Sequence, residues 1–228
     1  MKSAQNLDFN TVYFHSLGAF MADNRISDSL LKLESILKNG AILSRQEQIN
    51  LNNNNPALSK YIQRYLDPLW AYNWNGLNHI SICQKTSLNN PENESDAYKE
   101  YVNGNAGIGI ILSPTVLTLA DKDRPKLMDG EIQIKDKIPL DYMIGIFCGG
   151  KSTKEIQYEK NIAIELGYTK QQFQEFLPHI LTPNQVEVCT SINNLLDKFG
   201  YNVPIYSTRD GYEININSIQ ELDLEREF

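Results

Sequence analysis

Residues 129–146 constrain this chain more than any other stretch. Asp129-Gly130-Glu131 runs into Ile132-Gln133-Ile134-Lys135, and then Asp136-Lys137-Ile138-Pro139-Leu140-Asp141-Tyr142 leads to Met143-Ile144-Gly145-Ile146. Apolar residues alternate with polar ones along its first part, which is the period of a strand with one buried face. A short polar turn divides the run. It therefore predicts two strands joined as a hairpin, with the Glu131 carboxylate at the mouth of the first. A carboxylate at the end of a sheet can grip a sugar hydroxyl or steady an oxocarbenium ion.

The rest of the N-terminal half alternates strand and helix. Val12-Tyr13-Phe14-His15 is a short β-rich run. Ser27 or Asp28 can cap a helix whose apolar positions Leu30, Leu31, Leu33, Ile36 and Leu37 follow helical spacing. Asn39-Gly40 supplies a left-handed stop, and Ala41-Ile42-Leu43 resumes as an extended segment. The polar residues 44–56, which hold an Asn run at 52–55 before Pro56, predict an exposed loop or lid. Residues 57–72 predict a helix broken at Pro68, and Asn78-His79-Ile80-Ser81-Ile82-Cys83 alternates as a strand. Residues 95–102 form a short helix carrying Tyr98 and Tyr101, and the apolar run 107–112 is a strand ended by Ser113-Pro114. Beyond Gly149-Gly150 the pattern changes. Residues 152–166, 169–180 and 184–199 predict three helices, and 203–207 and 212–216 a closing pair of strands turned at Arg209-Asp210-Gly211. The expected organisation is a β-rich domain over 1–150 and a mainly helical extension over 151–228 that ends in a short β-hairpin.

Composition narrows the class. With 41% hydrophobic and 21% charged residues in 228, the chain is globular rather than disordered, and large enough for one sizeable core. A net charge of −7 argues against a broad grip on phosphate backbones. Cys83, Cys148 and Cys189 form no CxxC pair and no metal-ligand spacing, so no metal site is expected, and scattered thiols suit a reducing compartment. No apolar run follows a basic start, and no long apolar segment occurs. These features predict a soluble protein away from membranes, cytoplasmic or delivered to a host cytosol by a route without a Sec signal.

Three elements of the first half make sense as one site. Phe14-His15-Ser16, then Ser35-Ile36-Leu37-Lys38-Asn39-Gly40-Ala41-Ile42-Leu43, resembles the opening of ADP-ribosyltransferases, where a strand ending in His and a helix with an Ile-Leu-x-x-Gly turn frame the NAD pocket. Glu131 followed by alternating apolar residues and Ile138-Pro139-Leu140-Asp141-Tyr142-Met143-Ile144 resembles the last motif of the same family. The resemblance covers residues 12–148. It implies an α+β fold, a split antiparallel β-sandwich around an NAD cleft, and mono-ADP-ribosyl transfer from NAD with release of nicotinamide. It implies that His15 meets a ribose hydroxyl, which an imidazole can serve as donor and acceptor. The backbone at Ser16 would take the nicotinamide amide, and Glu131 would act as the catalytic carboxylate on the 2′-hydroxyl of the nicotinamide ribose. Its charge would favour the positive character that develops as nicotinamide leaves. Tyr98 or Tyr101 would stack on the nicotinamide ring, and Ser81 maps onto the family's middle motif. A His in the first motif places the resemblance with the diphtheria-toxin-like and poly(ADP-ribose)-polymerase-like branch. Asp129 stands where arginine-modifying members carry Glu and some others Gln, so the acceptor is not read from it. The acidic chain favours a protein acceptor over nucleic acid, and the polar 44–55 segment is the candidate for recognising it.

Plainer readings stand beside these. A lone His15 is more often a hydrogen-bonded structural histidine, and a lone Glu131 a solvated charge at a turn. Tyr98 and Tyr101 share one helical face, as core residues also do. Gly104, Gly107 and Gly109 enter a strand rather than open a helix, which removes a Rossmann reading. Two other functions fit the same fold: a non-catalytic NAD- or ADP-ribose-binding or interaction module, and transfer of an RNA 2′-phosphate to NAD. The second needs several basic residues at phosphate, and this half offers only isolated ones such as Arg25, Arg45, Arg64 and Arg124.

Overall fold

A computed structural model describes residues 7–17, 25–51, 78–99, 102, 108–123, 128–149, 165, 167, 185–207 and 214. In chain order its elements are β1 (Tyr13–Ser16), α1 (Arg25–Asn39), β2 (Ala41–Leu43), α2 (Arg45–Leu51), β3 (His79–Gln84), the single turn α3 (Asp96–Tyr98), β4 (Ile108–Leu112), β5 (Glu131–Lys135), β6 (Lys137–Pro139), β7 (Met143–Cys148), α4 (Gln185–Phe199) and β8 (Ile205–Ser207). The architecture is α+β. A six-stranded sheet runs β5-β3-β1-β4-β7-β8, and β2 and β6 make a separate two-stranded ladder. Every pairing is antiparallel except β7 with β8.

The sheet separates two apolar layers. On one face Ile80, Ile82, Ile108, Ile110, Leu112, Ile134 and Ile146 pack under α1 and α4. On the other, Phe14, Cys83, Ile111 and Phe147 pack under Phe9, Val12, Ala97 and Tyr98. Strand alternation produces this division directly, because successive side chains leave a strand on opposite faces. β4 has five buried residues and lies between β1 and β7, which explains its near-continuous apolar run. In α1 the buried line is Ser29, Leu33 and Leu37, each a helical turn apart, whereas Leu31 is 64% exposed and faces away from the core. Truncating Leu33, which has no exposed surface, to Ala would cost about 2–5 kcal/mol. Gly40 ends the helix at φ +67, and the Tyr201 hydroxyl donates to the Leu37 carbonyl, satisfying one of the last groups of the helix.

The structure corrects the hairpin expected over residues 129–146. β5 pairs with β3, β6 with β2, and β7 with β4, so none of the three pairs with another. Asp136 explains why. It is the only residue between β5 and β6, too short a connection for a hairpin, which needs at least two loop residues. It adopts φ 61, donates its N–H to the Asn78 carbonyl at 2.7 Å, and accepts from Ser44 N–H at 2.7 Å. The left-handed kink thus turns the chain out of one sheet into the other.

A second correction falls at residues 44–51. The expected loop is helical over Arg45–Leu51. Ser44 is its cap, with Oγ accepting from Glu47 N–H and the Ser44 carbonyl from Gln48 N–H. Ser44-Arg45-Gln46-Glu47 is the Ser-x-x-Glu spacing of a capping box, which overrides the polar character of the segment. The Asn run at 52–55, the helices expected over 57–72 and 169–180, that expected over 152–166 apart from Glu165, and the turn at Arg209-Asp210-Gly211 lie outside the described residues.

The boundary expected at residue 150 does not divide two cores. Val188, Cys189, Ile192 and Leu196 of α4, with Ile205 of β8, belong to the same cluster as Leu33, Ile110 and Ile146. β8 extends the six-stranded sheet through Ile146↔Ile205 and Phe147↔Tyr206. A Lys198–Glu34 ion pair at 2.6 Å bridges α4 to α1, but at an exposed position, where such a pair contributes about 0–1 kcal/mol.

Candidate functional site

The sheet forks beside β1. β1 pairs with β4 over its whole length, but with β3 only through Tyr13↔Gln84 and Phe14↔Cys83. β3 meanwhile stays paired with β5 from His79 to Cys83. Beyond Phe14 the strands part, and His15 spans the gap: its Nδ1 lies 2.9 Å from the main-chain carbonyl of Ser81. A carbonyl only accepts, so Nδ1 carries the proton, leaving Nε2 as the acceptor of a neutral ring. Burial lowers the pKa of this imidazole; the Ser81 bond works the other way, and the charge of Lys32 lowers it further.

Ser81, Gln133 and Glu131 form a polar line on β3 and β5. Gln133 stands directly across from Ser81, and Glu131 across from Cys83. Gln133 Nε2 donates to Ser81 Oγ at 2.9 Å and to Glu131 Oε1 at 2.8 Å. Glu131 is fully buried, Gln133 nearly so, and Ser81 is half-buried at the more open end. The charge of Glu131 reaches the neighbouring Cys83, whose thiol is pushed up first by burial and then by that carboxylate.

Strand pleating divides the expected site residues between faces. Phe14, Cys83 and Glu131 lie in register across β1, β3 and β5, so Ser16, Ser81 and Gln133, each two residues along, share their face. His15 leaves β1 on the other face, the side of α1 and Lys32, and reaches the line through the Ser81 carbonyl in the plane of the sheet. Ser16 pairs with Gly109 on β4.

Tyr98, expected to stack on a ligand ring, is placed in the core. Its ring meets Phe14 edge-on at a centroid separation of 5.1 Å and is buried, with Lys85 Nζ 5.8 Å from its centroid. Burial also raises the pKa of its hydroxyl, with smaller contributions from Glu94 and Cys83. Tyr101 lies outside the described residues. Asp129 serves the local structure, where its carboxylate accepts from Leu88 N–H and Asn89 Nδ2 and so fastens the loop before α3. The 129–131 turn is also tight, because Gly130 at φ +79 packs against Ser95, and Ser95 Oγ caps α3 while donating to the Gln84 carbonyl.

Gln133, which the sequence reading did not single out, is the side chain that links Glu131 to Ser81. Its signal was present in the period-two alternation, which places it on the face of Glu131. No cluster of His, Cys, Asp and Glu side chains among the described residues has the makings of a metal site, and among them no helix is long and apolar enough to cross a membrane. Compared with models of protein families, with curated proteins and with solved structures, the chain matches none.

Proposed function

We propose that this protein is a mono-ADP-ribosyltransferase that uses NAD as substrate, on an ADP-ribosyltransferase-like split sheet. One observation carries the reading: the residues of the three motifs, far apart in sequence, fall on three neighbouring strands, β1, β3 and β5, around a fork in the sheet. The groups suit sugar hydroxyls, which both give and take hydrogen bonds: Ser81 offers a hydroxyl and Glu131 a carboxylate on one face of the sheet, and His15 an acceptor nitrogen on the other side of the fork.

In this reading Glu131 accepts from the 2′-hydroxyl of the nicotinamide ribose. Its negative charge opposes the positive charge that grows on the ribose as the C1′–N bond breaks and nicotinamide departs with the bonding pair. An acceptor nucleophile then attacks C1′ and loses its proton. The net charge of −7 favours a protein acceptor over nucleic acid, and a cytoplasmic site of action, in its own cell or a host's, fits three cysteines held as thiols.

The burial of Glu131 favours a second reading, the same fold binding NAD or ADP-ribose without turnover. Labelled NAD incubated with the purified protein and a lysate separates them. The transferase releases nicotinamide and labels an acceptor, and Glu131→Gln slows release by about 100-fold or more while circular dichroism stays unchanged. Calorimetric NAD binding with no nicotinamide release supports the second reading. Neither binding nor release by folded protein sinks both.

A further inference from the structure

We infer that Gln133 is a positioning residue, holding the Glu131 carboxylate and the Ser81 hydroxyl in one fixed arrangement that directs the Ser81 proton outward, to a substrate oxygen. Two bonds leave its single side-chain nitrogen, at 2.8 Å to Glu131 Oε1 and 2.9 Å to Ser81 Oγ. A carboxylate accepts only, so the amide must present its NH2 to Glu131; turned over, its oxygen would face another oxygen. Both amide hydrogens are then engaged. Ser81 Oγ is obliged to accept from Gln133, and its own hydrogen turns elsewhere. Ser81 is the half-buried end of the line and the two others are its buried end, so the hydroxyl is the group best placed to meet a ligand.

The backbone makes this arrangement rigid. Gln133 is paired with Ser81 on one side of β5, and on the other its carbonyl accepts from Asp121 N–H at 2.8 Å, beside the Ala120↔Ile134 bridge. A side chain on a strand held along both edges positions its neighbours more tightly than one on a loop. The substrate part of the inference rests on the transferase reading above, whereas the hydrogen-bond arrangement stands without it.

The test has two readouts. In isotope-labelled protein, the Gln133 side-chain amide protons are identified by their loss in Gln133→Met, a variant of similar shape without the donors. Both are expected to shift in Glu131→Gln and in Ser81→Ala. Amide protons insensitive to Glu131→Gln overturn the inference, whatever the enzyme does. For NAD turnover, folded Gln133→Met is expected to lose about 10–100-fold in kcat with KM nearly unchanged, since outer supports of a reacting group act at this scale. A folded Gln133→Met with wild-type kcat also overturns it. If the native protein turns over no NAD, the transferase reading fails, and the amide signals alone decide whether Gln133 holds its two neighbours.

Discussion

His15 shows how one residue joins stability to the site. Burial, the largest influence, holds its imidazole below the ordinary value of about 6.5, so the folded chain keeps it neutral where the unfolded chain begins to protonate it. Between those two values the unfolded state binds more protons, and stability rises with pH. The contribution of His15 is therefore complete above about pH 6.5 and is lost as pH falls from there through the folded value. Urea midpoints measured from neutral to acidic pH should fall in this window, and His15→Gln should flatten that fall. An identical slope in the variant would remove His15 as its source. The residue type and the strand end were legible in the sequence. The face was not, because whether His15 and Glu131 share a side depends on how β1, β3 and β5 are aligned.

Two glycines separate local from tertiary constraint among the elements. Gly40 was readable, since Asn-Gly after a helical period marks a left-handed stop, and its surroundings leave room for a methyl group, with the Tyr201 hydroxyl 3.9 Å from it. Gly40→Ala should therefore cost about 1–2 kcal/mol through backbone strain alone. Gly109 needs no unusual φ, yet a Cβ there would collide with the Phe147 ring and with the His15 carbonyl. Gly109→Ala should destabilise more, by about 3 kcal/mol or beyond, because the ring is locked in the core and the carbonyl is backbone. Thermal melts of the two variants side by side check the order, and a Gly40→Ala loss larger than that of Gly109→Ala would contradict it. The same contrast applies to 44–51 and 129–146. The Ser44 cap of α2 is local and was overlooked beneath a polar composition, whereas the separation of β5 from β6 follows from partners that no local pattern names.

For the whole molecule, α4 and β8 share the core of the N-terminal elements. β8 covers β7, Ile214 N–H donates to the Ile205 carbonyl at 2.7 Å, and α4 buries one side of the common core. A fragment ending at residue 150 would expose the apolar face that Cys189, Ile192 and Leu196 now cover. It should be aggregated or lack a cooperative unfolding transition, as circular dichroism and gel filtration would report. A monomeric 1–150 fragment that melts cooperatively would restore the separate extension. The N-terminal motif residues would then be a self-sufficient unit.

The sequence by itself determined the strands and helices with a strong period: the alternation of β3 and β5, the apolar run of β4, and the helical spacing of α1 and α4. It also singled out His15, Ser81 and Glu131. These follow from side-chain periodicity and turn chemistry, which act over a few residues. Only the tertiary structure decided which strands pair, that the sheet forks at His15, that Gln133 links Ser81 to Glu131, and that α4 and β8 complete the core. Those choices belong to contacts between distant segments, where burying one shared apolar surface selects the register that no single segment encodes.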